Sequence, residues 1–456
     1  MKIQDVLLSD YGKVSSIPSP VNQLMTDFAV SFRDGRDINL GVGYVNERTI
    51  PHQQIQHACE AVLAHPKKYR ASLNYGGAQG SPNLIASLRR FHIENRIGGI
   101  TEQTLNSREI VIGANGATSL LESITHLLPT GIVLTADPMY YIYCNDLERK
   151  GFSVLAIPED NEGLDAERLR TKLTGLGDEK EVIRFFYVVT VNNPTCTILS
   201  NDRKRELVDI VTRLSYEVGR KIPIFFDNAY SDLVHDSAIE PLVSALCYDT
   251  LGIVYEIGTL SKILAPGLRI GYLIGPKGPL LDSVIQRTSD IGFSAPLINQ
   301  EIASYLLDHG IEAQIQKVNK GYHQKAKQVK AWIAELLSDN VQECRGGSAG
   351  FYYYLTLSSV TTDMTSDFFK FLTRTTGRKE VDGPLGSQHS KVIYIPGEHC
   401  VHPDGDMVEV GKRQFRISYG FEELPQIHAA LTHMKSAIVY SHENSLDYQR
   451  TSQNSS

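Results

Sequence analysis

Two charged residues stand out because each comes directly or shortly after an apolar run that predicts a buried strand. Asp227 ends the run "IPIFFD", and Lys262 lies in "GTLSKILAPGLRIGYLIG" together with Arg269. A carboxylate that follows a buried strand costs free energy unless a cation meets it. A lysine that served only solubility would need neither the small hydroxylated neighbours nor the arginine. The pattern indicates a charged site with acid–base and nucleophilic chemistry.

Amide, phenol and backbone groups follow the other predicted strands. Asn193 follows "FFYVVTV", Tyr230 follows Asp227, and Tyr140 follows "GIVLTAD", where its ring could stack on a flat ligand or fill core, the simpler interpretation. The helix that starts at Gly116 offers free N–H groups to an anion, although the local pattern by itself favours a plain strand-to-helix turn. Ligands of open α/β sheets bind beyond the carboxyl ends of the strands, so these groups are predicted to share one edge.

The elements that must position these groups alternate between apolar strands and amphipathic helices. In the helical stretch "NDRKRELVDIVTRLSYEVG", Leu207, Ile210, Val211 and Leu214 share one face. Such alternation predicts a mostly parallel, doubly wound α/β sheet that is covered on both faces. The predicted strands are "REIVIG", "GIVLTAD", "FSVLAI", "VIRFFYVVTV", "IPIFFD", "GIVYEIG" and "RIGYLIG".

The bulk composition excludes several classes of protein. The chain has 456 residues, 42% of them hydrophobic and 21% charged, as in ordinary globular proteins. Its net charge of -7 has the wrong sign for a nucleic-acid binder, and no apolar run is long enough to cross a membrane. The six cysteines form no CxxC pair, which is typical of reduced thiols and predicts a cytoplasmic protein.

Three motifs, "NNPT", "FFDNAY" and "TLSKILAPGLRIGY", occur in that order, with 34 residues from Asn193 to Asp227 and 35 from Asp227 to Lys262. In order and spacing they resemble the class I/II aminotransferases, aspartate aminotransferase-like enzymes of fold type I that use pyridoxal 5'-phosphate. "NYGGAQGSPNLIASLRRF" and "QFRISYG" resemble two further motifs of that family, so the likeness spans roughly residues 37–425. Five motifs in register make coincidence improbable.

The resemblance implies catalytic roles for Lys262, Asp227 and Tyr230. Lys262 matches the lysine that holds the cofactor aldehyde as a Schiff base and then acts as the general base. Asp227 matches the carboxylate that pairs with the pyridine nitrogen, which keeps the ring an electron sink. Tyr230 and Asn193 match donors to the ring oxygen, and Tyr140 matches the aromatic residue that stacks on the ring.

The resemblance also assigns the cofactor phosphate and the subunit arrangement. The phosphate is expected on the helix turn, with Thr259 and Arg269 completing the site, since a guanidinium fork can bind phosphate in a bidentate manner. Tyr75 matches a tyrosine that reaches the phosphate of the neighbouring subunit, which implies a homodimer with shared sites. The turn consists of Gly116, Ala117 and Thr118.

The implied reaction moves an amino group between an L-amino acid and a 2-oxo acid by a ping-pong mechanism. Arg416 matches the arginine that binds the substrate α-carboxylate, beside Asn193, and Gly43 in "GVGYVN" matches a backbone position close to that carboxylate. The donor and acceptor are not determined by these motifs. Several tyrosines indicate an apolar or aromatic wall: Tyr44, Tyr140, Tyr141 and Tyr143.

The implied fold has a large domain with a mostly parallel, seven-stranded sheet between helices, and a smaller α+β domain. We expect an N-terminal segment (1–50) that packs on the small domain and the active site, a large pyridoxal phosphate-binding domain (51–300), a small C-terminal domain (301–440) and a polar tail (441–456). The sequence departs from the family where Cys196 replaces the usual glycine, Thr259 a serine and Asn228 an acidic residue.

Two other functions remain open at this stage. The same cofactor supports β-elimination or cyclisation, as in β-lyases and cyclising synthases. A non-catalytic, effector-sensing domain is also known from transcription regulators, but those carry an amino-terminal winged helix, for which we expect no room before "DINLGVGY". The cluster His399, Cys400 and His402 lacks a second ligand pair at zinc-like spacing, so no metal is predicted.

Overall fold

The computed structural model describes residues 6–384 and 388–453, and its strands form three sheets. The strands are β1 Ile38–Asn39, β2 Arg108–Ile112, β3 Ile132–Asp137, β4 Ser153–Asp160, β5 Gly163–Leu164, β6 Ile183–Val189, β7 Ile224–Asp227, β8 Val254–Thr259, β9 Gly271–Pro276, β10 Val341–Gly346, β11 Tyr352–Leu357, β12 Val392–Ile393, β13 Ile395–Pro396 and β14 Gln414–Ser418.

The helices cover these sheets and connect them. They are α1 Asp10–Ser15, α2 Pro20–Ser31, α3 His52–Ala64, α4 Pro82–Glu94, α5 Glu102–Asn106, α6 Gly116–Leu127, α7 Tyr141–Arg149, α8 Ala166–Leu176, α9 Asn201–Glu217, α10 Pro279–Gly292, α11 Leu297–Asp308, α12 Ile311–Leu337, α13 Asp367–Thr373, α14 Lys379–Asp382, α15 Val408–Gly411 and α16 Leu424–Gln453.

The large sheet has the strand order β2-β9-β8-β7-β6-β3-β4-β5. β4, β3, β6, β7 and β8 are parallel neighbours, whereas β9 runs antiparallel between β8 and β2. The predicted mostly parallel α/β sheet is therefore confirmed, and each of the seven predicted strands is present. The additional strand, β5, has two residues and turns back on β4, so it is too short to show a periodic pattern.

Helices cover the sheet because each buries one apolar stripe. Ser200 caps the N-terminus of α9, and the predicted face of this helix is buried, including Leu207, Val211 and Leu214. Burial of each such side chain contributes about 1.5–3 kcal/mol. In α6 the buried face presses the helix onto β8 and β9, which brings its N-terminus to the carboxyl end of β8.

A four-stranded antiparallel sheet, β10-β11-β14-β13, carries the C-terminal motif. Arg416 lies in β14, between Tyr354 of β11 and Ile395 of β13. The start of the chain joins this part of the molecule, because β1 pairs in parallel with β12. The domain boundaries stay predictions, and α16 continues to Gln453, through most of the segment predicted as a polar tail.

A membrane-crossing helix would need a long apolar stretch. Among the described residues no helix is both long and apolar enough to span a bilayer.

Candidate active site

A cavity of about 150 Å³ lies at the carboxyl ends of β6, β7 and β8, beside the N-terminus of α6. Most of the predicted site residues line it, although they come from separate parts of the chain. They are Ala117, Thr118, Tyr140, Asn193, Asp227, Tyr230, Thr259, Lys262 and Arg269. The predicted convergence on one edge of the sheet therefore occurs.

Lys262 follows β8 and reaches into this cavity. Its Nζ donates a hydrogen bond to the carbonyl oxygen of Gly43 (3.2 Å) and lies 5.5 Å from the centre of the Tyr230 ring. Burial lowers the pKa of Lys262 to about 8; nearby arginine charges add to this effect and Asp227 opposes it. An amine with this pKa is partly neutral near neutral pH, which a nucleophile requires.

Asp227 ends β7 and is buried, with 6% of its surface exposed. Its Oδ2 accepts a hydrogen bond from the hydroxyl of Tyr187 (2.7 Å), and its Oδ1 accepts one from the backbone N–H of Ala229 (3.0 Å). Burial raises the pKa of the carboxyl, while both hydrogen bonds and the charge of Lys262 lower it. Since both hydrogen-bond partners are neutral, the carboxylate can still accept a cationic partner from the cavity.

Arg416 is a buried charged side chain beside the site and is only 2% exposed. Its Nη1 donates to Oδ1 of Asn193 (2.7 Å), and its Nη2 donates to the carbonyl of Gly41. Its Cζ lies 4.3 Å from the centre of the Tyr352 ring. The buried Nε has no hydrogen-bond partner among the described residues. Because arginine only donates, the oxygen of Asn193 must face it, and the amide N–H₂ of Asn193 is left to donate into the cavity.

Tyr352 connects several predicted residues. Its hydroxyl lies 2.9 Å from that of Tyr230. A Cβ atom on Gly43 would lie 2.6 Å from the same hydroxyl, so a side chain at this position would collide with Tyr352. Gly43 therefore lies at the site, where the approach of its backbone to Lys262 depends on the absence of a side chain.

The N-terminus of α6 and Arg269 form an anion-binding end of the cavity. Gly116 has a φ of +70°, and a Cβ atom there would lie 3.0 Å from Nη2 of Arg269. Nε and Nη2 of Arg269 donate to the side chain and the backbone carbonyl of Asn115, at 2.8 and 3.0 Å. The helix has no side-chain cap at this end, so its first N–H groups remain available to a phosphate.

Thr259 acts on the loop that carries Lys262. Its hydroxyl donates to the carbonyl of Ile270 (2.8 Å) and accepts from the backbone N–H of Ser261 (3.1 Å). Thr259, which replaces the expected serine, therefore keeps a hydroxyl that hydrogen-bonds the loop between β8 and β9. These hydrogen bonds fix the direction in which Lys262 leaves the strand.

Tyr75 is the one predicted site residue that lies away from these groups in the single chain. It does not line the cavity and is 75% exposed, with its ring 5.2 Å from that of Phe293, which is 63% exposed. Two exposed aromatic rings in contact are an apolar surface that a second protein chain could cover.

Cys196, which stands where the family has glycine, keeps the backbone shape that glycine would have. Its φ is +52°, the left-handed region, and the side chain is 2% exposed. A Cβ atom on Gly350 would lie 2.7 Å from its sulfur, so the glycine opposite leaves room for the thiol. The turn thus accommodates the side chain at the cost of an unfavourable φ.

Four contributors to the site escaped sequence analysis: Tyr187, Tyr352, Gly41 and Asn115. Tyr187 did carry a signal, because it is two residues from Val189 and lies on the same face of β6. Val189 pairs with Asp227, the last residue of β7. The hydroxyl of Tyr187 was therefore to be expected on the face of Asp227. The others come from contacts between distant segments, which no local pattern contains.

Comparison with known proteins gives the class of this fold and site. The family model "Aminotransferase class I and II" matches residues 37–423. The multiple substrate aminotransferase of Thermococcus profundus superimposes with a TM-score of 0.80 at 22% identity, over 96% of this chain and 98% of that one.

Two curated relatives show the range of the family. The mitochondrial kynurenine/alpha-aminoadipate aminotransferase of Rattus norvegicus is 24% identical over 66% of this chain and 72% of its own. An uncharacterised HTH-type transcriptional regulator of Bacillus subtilis, YisV, is 26% identical over 54% of this chain and 48% of its own. This chain therefore spans about half of that regulator.

The chain belongs to the aminotransferase class I and II family and has its fold-type I architecture. It is a pyridoxal phosphate-dependent aminotransferase, whose substrates are amino acids and 2-oxo acids. The cavity suits this cofactor chemically. It presents an amine, a carboxylate without a cationic partner, and an anion-binding helix N-terminus with an arginine.

Proposed function

We propose that transamination is divided among Lys262 and Asp227, which line the cavity, and Arg416, which contacts the lining residue Asn193. The observation that carries this proposal is the pair of buried, oppositely charged groups, Lys262 and Asp227, that face the same cavity. When bound, pyridoxal phosphate supplies an electron-accepting ring that permits cleavage of a Cα–H bond. The roles below concern the side chains of this chain.

The amine of Lys262 would hold the cofactor aldehyde and would carry a proton to and from the substrate carbon. Its pKa of about 8 suits both tasks, because the amine can take up and return a proton near neutral pH. Asp227 would hold the pyridine nitrogen protonated, and Tyr230 and Asn193 would donate to the ring oxygen. Tyr140 covers the face of the ring.

Arg416 binds the α-carboxylate of the substrate. Its guanidinium lies beside Asn193 and retains an unpartnered Nε, and the flat Tyr352 ring supports it. One carboxylate-binding arginine serves the amino acid and the 2-oxo acid in turn, as a ping-pong reaction requires.

The substrate side chain is proposed to be apolar or aromatic. Support comes from the rings around the arginine, since Tyr141 and Tyr352 lie 6.0 and 4.3 Å from its Cζ. A panel of amino donors with 2-oxoglutarate and pyruvate as acceptors checks this point. Rates that are highest for phenylalanine, tyrosine or leucine support it, and rates that are highest for aspartate or lysine contradict it.

The assignment of Lys262 is tested by reduction of the holoenzyme with borohydride, followed by peptide mass mapping. We expect the pyridoxyl group on Lys262 and loss of all transaminase activity in Lys262→Ala. Lys325 is a matched control, because burial also lowers its pKa to about 8 while its Nζ donates to the carbonyls of Gly420 and Glu422. Label on Lys325, or an active Lys262→Ala variant, contradicts the proposal.

The assignment of Arg416 is tested by Arg416→Lys, which keeps the charge and removes the planar fork. We expect KM for the amino acid to rise about tenfold or more, with a smaller change in kcat, because a bidentate ion pair is lost. Arg413→Lys in the same region is the control, since Arg413 donates to Gln342 and to the carbonyls of Leu357 and Ser358. An unchanged KM in Arg416→Lys would move carboxylate recognition elsewhere.

The active form is proposed to be a homodimer in which Tyr75 of each protomer reaches the phosphate in the other site. The exposed pair of Tyr75 and Phe293 supports this arrangement. A cytoplasmic location is proposed from the six unpaired cysteines, which suit a reducing compartment. Cell fractionation with an antibody to the protein checks the location.

A further inference from the structure

A second cavity, larger than the one around Lys262, is lined by a separate set of described residues. It measures about 630 Å³ and lies on the opposite face of the large sheet, between the sheet, α4 and the start of α12. Side chains alternate along a strand, so Glu256 and Gly258 of β8 point away from the face that carries Thr259. Asn228, the residue after Asp227, also lines this second cavity. Consecutive residues of one strand end thus face two different cavities.

The size and chemistry of this cavity suit a small organic molecule. Cavities of about 300–1,000 Å³ with apolar walls and a few polar groups are typical ligand sites. Apolar residues form much of the wall, among them Val234, Leu242, Ile274 and Ile315. The cavity therefore offers an apolar surface on which a ring or an alkyl chain could pack.

One carboxylate in the cavity stands apart from the other charged groups. Asp232 is half-buried, and among the described residues its carboxylate forms no hydrogen bond or ion pair. Burial raises the pKa of Asp232 to about 6. Asp232 is one of the residues that line the cavity. Its charge also acts on the buried hydroxyl of Tyr272, another lining residue.

The other charged groups inside the cavity already have partners. Glu256 accepts hydrogen bonds from the hydroxyl of Ser244 (2.8 Å) and the backbone N–H of Ala245 (2.7 Å). Lys204 donates to the carbonyl of Val243 (2.6 Å), and Glu256 attracts its charge. Lys204 is thus committed to the Glu256 side of the cavity and leaves Asp232 without a cation.

The histidines of the cavity do not supply that cation either. Burial lowers the pKa of both His92 and His235 to about 4, so both are neutral near pH 7. Arg96 and Lys320 lie at the exposed rim, where water and salt screen their charges. An unpaired, partly desolvated carboxylate beside an apolar wall is the chemistry that recognises an ammonium group.

We propose that this cavity is a second ligand site, which binds a small organic cation with an ammonium group on Asp232 and an apolar body against the wall. The site is separate from the cofactor cavity, because the sheet lies between them. Its strand ends are shared, however. Thr190, which lines the second cavity, donates its backbone N–H to the carbonyl of Asp227 (2.9 Å) and its hydroxyl to Asn228 (2.5 Å).

The test is calorimetric titration of the holoenzyme at pH 8 with N,N-dimethylphenethylamine. This tertiary amine is a cation with an aromatic body, and it cannot form an imine with the cofactor aldehyde. We expect binding to the wild type and affinity reduced about tenfold or more in Asp232→Asn, since a charge-assisted hydrogen bond is lost. 2-Phenylethanol, which has the same ring without the charge, is expected to bind about tenfold more weakly or worse.

Asp236→Asn provides the matched control in the same cavity. The carboxylate of Asp236 is already occupied, because it accepts from the backbone N–H of Ala238 and the hydroxyl of Ser348, both at 3.0 Å. We expect this variant to retain the affinity of the wild type within about threefold. Equal affinity in wild type and Asp232→Asn, no binding of the amine at millimolar concentration, or displacement of the amine by a substrate amino acid would each overturn the proposal. None of these results depends on whether transamination is observed.

Discussion

Tyr187 shows how a neutral side chain can influence the charge of Asp227, for which we propose a role toward the cofactor. Its hydroxyl donates the shorter of the two hydrogen bonds to Asp227, from a position inside β6 where neighbouring residues are apolar. The hydrogen bond lowers the pKa of a carboxyl that burial raises. Without it the aspartate would hold its proton to a higher pH, and its hold on a cationic partner would weaken.

Tyr187→Phe is therefore expected to lower kcat/KM about tenfold, since a hydrogen bond to a buried charged group is lost. Asp227 must be ionised to act, so activity falls as the pH drops through its pKa. Because the variant raises that pKa, the acidic limb of the pH–rate profile should move to higher pH.

Tyr143→Phe is the control for this change. The Tyr143 ring packs 4.7 Å from that of Tyr187, and its hydroxyl contacts Thr125 rather than Asp227. This variant should leave the acidic limb in place. If both variants move the limb equally, the effect belongs to packing and not to the hydrogen bond.

Residue types gave much of the site before the structure was known. Lys262, Asp227 and Arg269 each follow a strand or a turn with strong local signals, and the structure gathers them in one cavity. Tyr352 and Gly41 gave no such signal, since their contacts with the site join segments far apart in the chain. The lack of a partner for the Asp232 carboxylate was equally unpredictable, because it depends on the hydrogen bonds and charges of all the surrounding residues.

At the scale of elements, the turn after β6 has a strained backbone at a position where the sequence departs from the expected glycine. Cys196 replaces glycine, and the structure retains the left-handed backbone with a buried thiol. For residues other than glycine this conformation costs about 1–2 kcal/mol. The thiol offsets part of that cost by filling the space opposite Gly350.

The strain predicts an unusual order of stabilities at position 196. Cys196→Ala removes the sulfur and keeps the unfavourable φ, whereas Cys196→Gly removes both. We expect the glycine variant to be more stable than the alanine variant by about 1 kcal/mol, the reverse of the usual order in helices and strands. Thermal or urea unfolding of the two variants measures this difference. An alanine variant that is equally or more stable would show that the backbone is not strained.

Strands were the elements most open to prediction. The seven predicted segments of six to ten residues are local signals, and they correspond to seven strands of four to eight residues in the large sheet. The direction of β9 was not predictable in this way, because periodicity is the same in parallel and antiparallel strands. β5 has two residues and forms only through its pairing with β4.

For the whole molecule, the proposed sharing of sites between protomers can be tested by mixing inactive variants. In the proposed dimer each site takes Lys262 from one protomer and Tyr75 from the other. A mixed dimer of Lys262→Ala with Tyr75→Ala would therefore contain one intact site. After dissociation and reassociation of equal amounts, we expect about a quarter of wild-type activity, since half of the dimers are mixed and each has one working site of two.

A second mixture controls this experiment. Lys262 and Asp227 are supplied to each site by the same protomer. A mixture of Lys262→Ala with Asp227→Asn therefore gives no mixed dimer with an intact site, and no activity should return. Recovery in both mixtures, or in neither, would contradict a site that Tyr75 shares across the dimer.

The segment before α3 supplies acceptors to two buried cations. Gly43 accepts from Lys262, and Gly41 accepts from Arg416, which is 375 residues further along the chain. A ribosome releases these two glycines early and the arginine late. The opening segment must therefore wait, without its final contacts, while most of the polypeptide is made. Catalytic competence is then among the last properties that a newly synthesised chain acquires, however early its large sheet assembles.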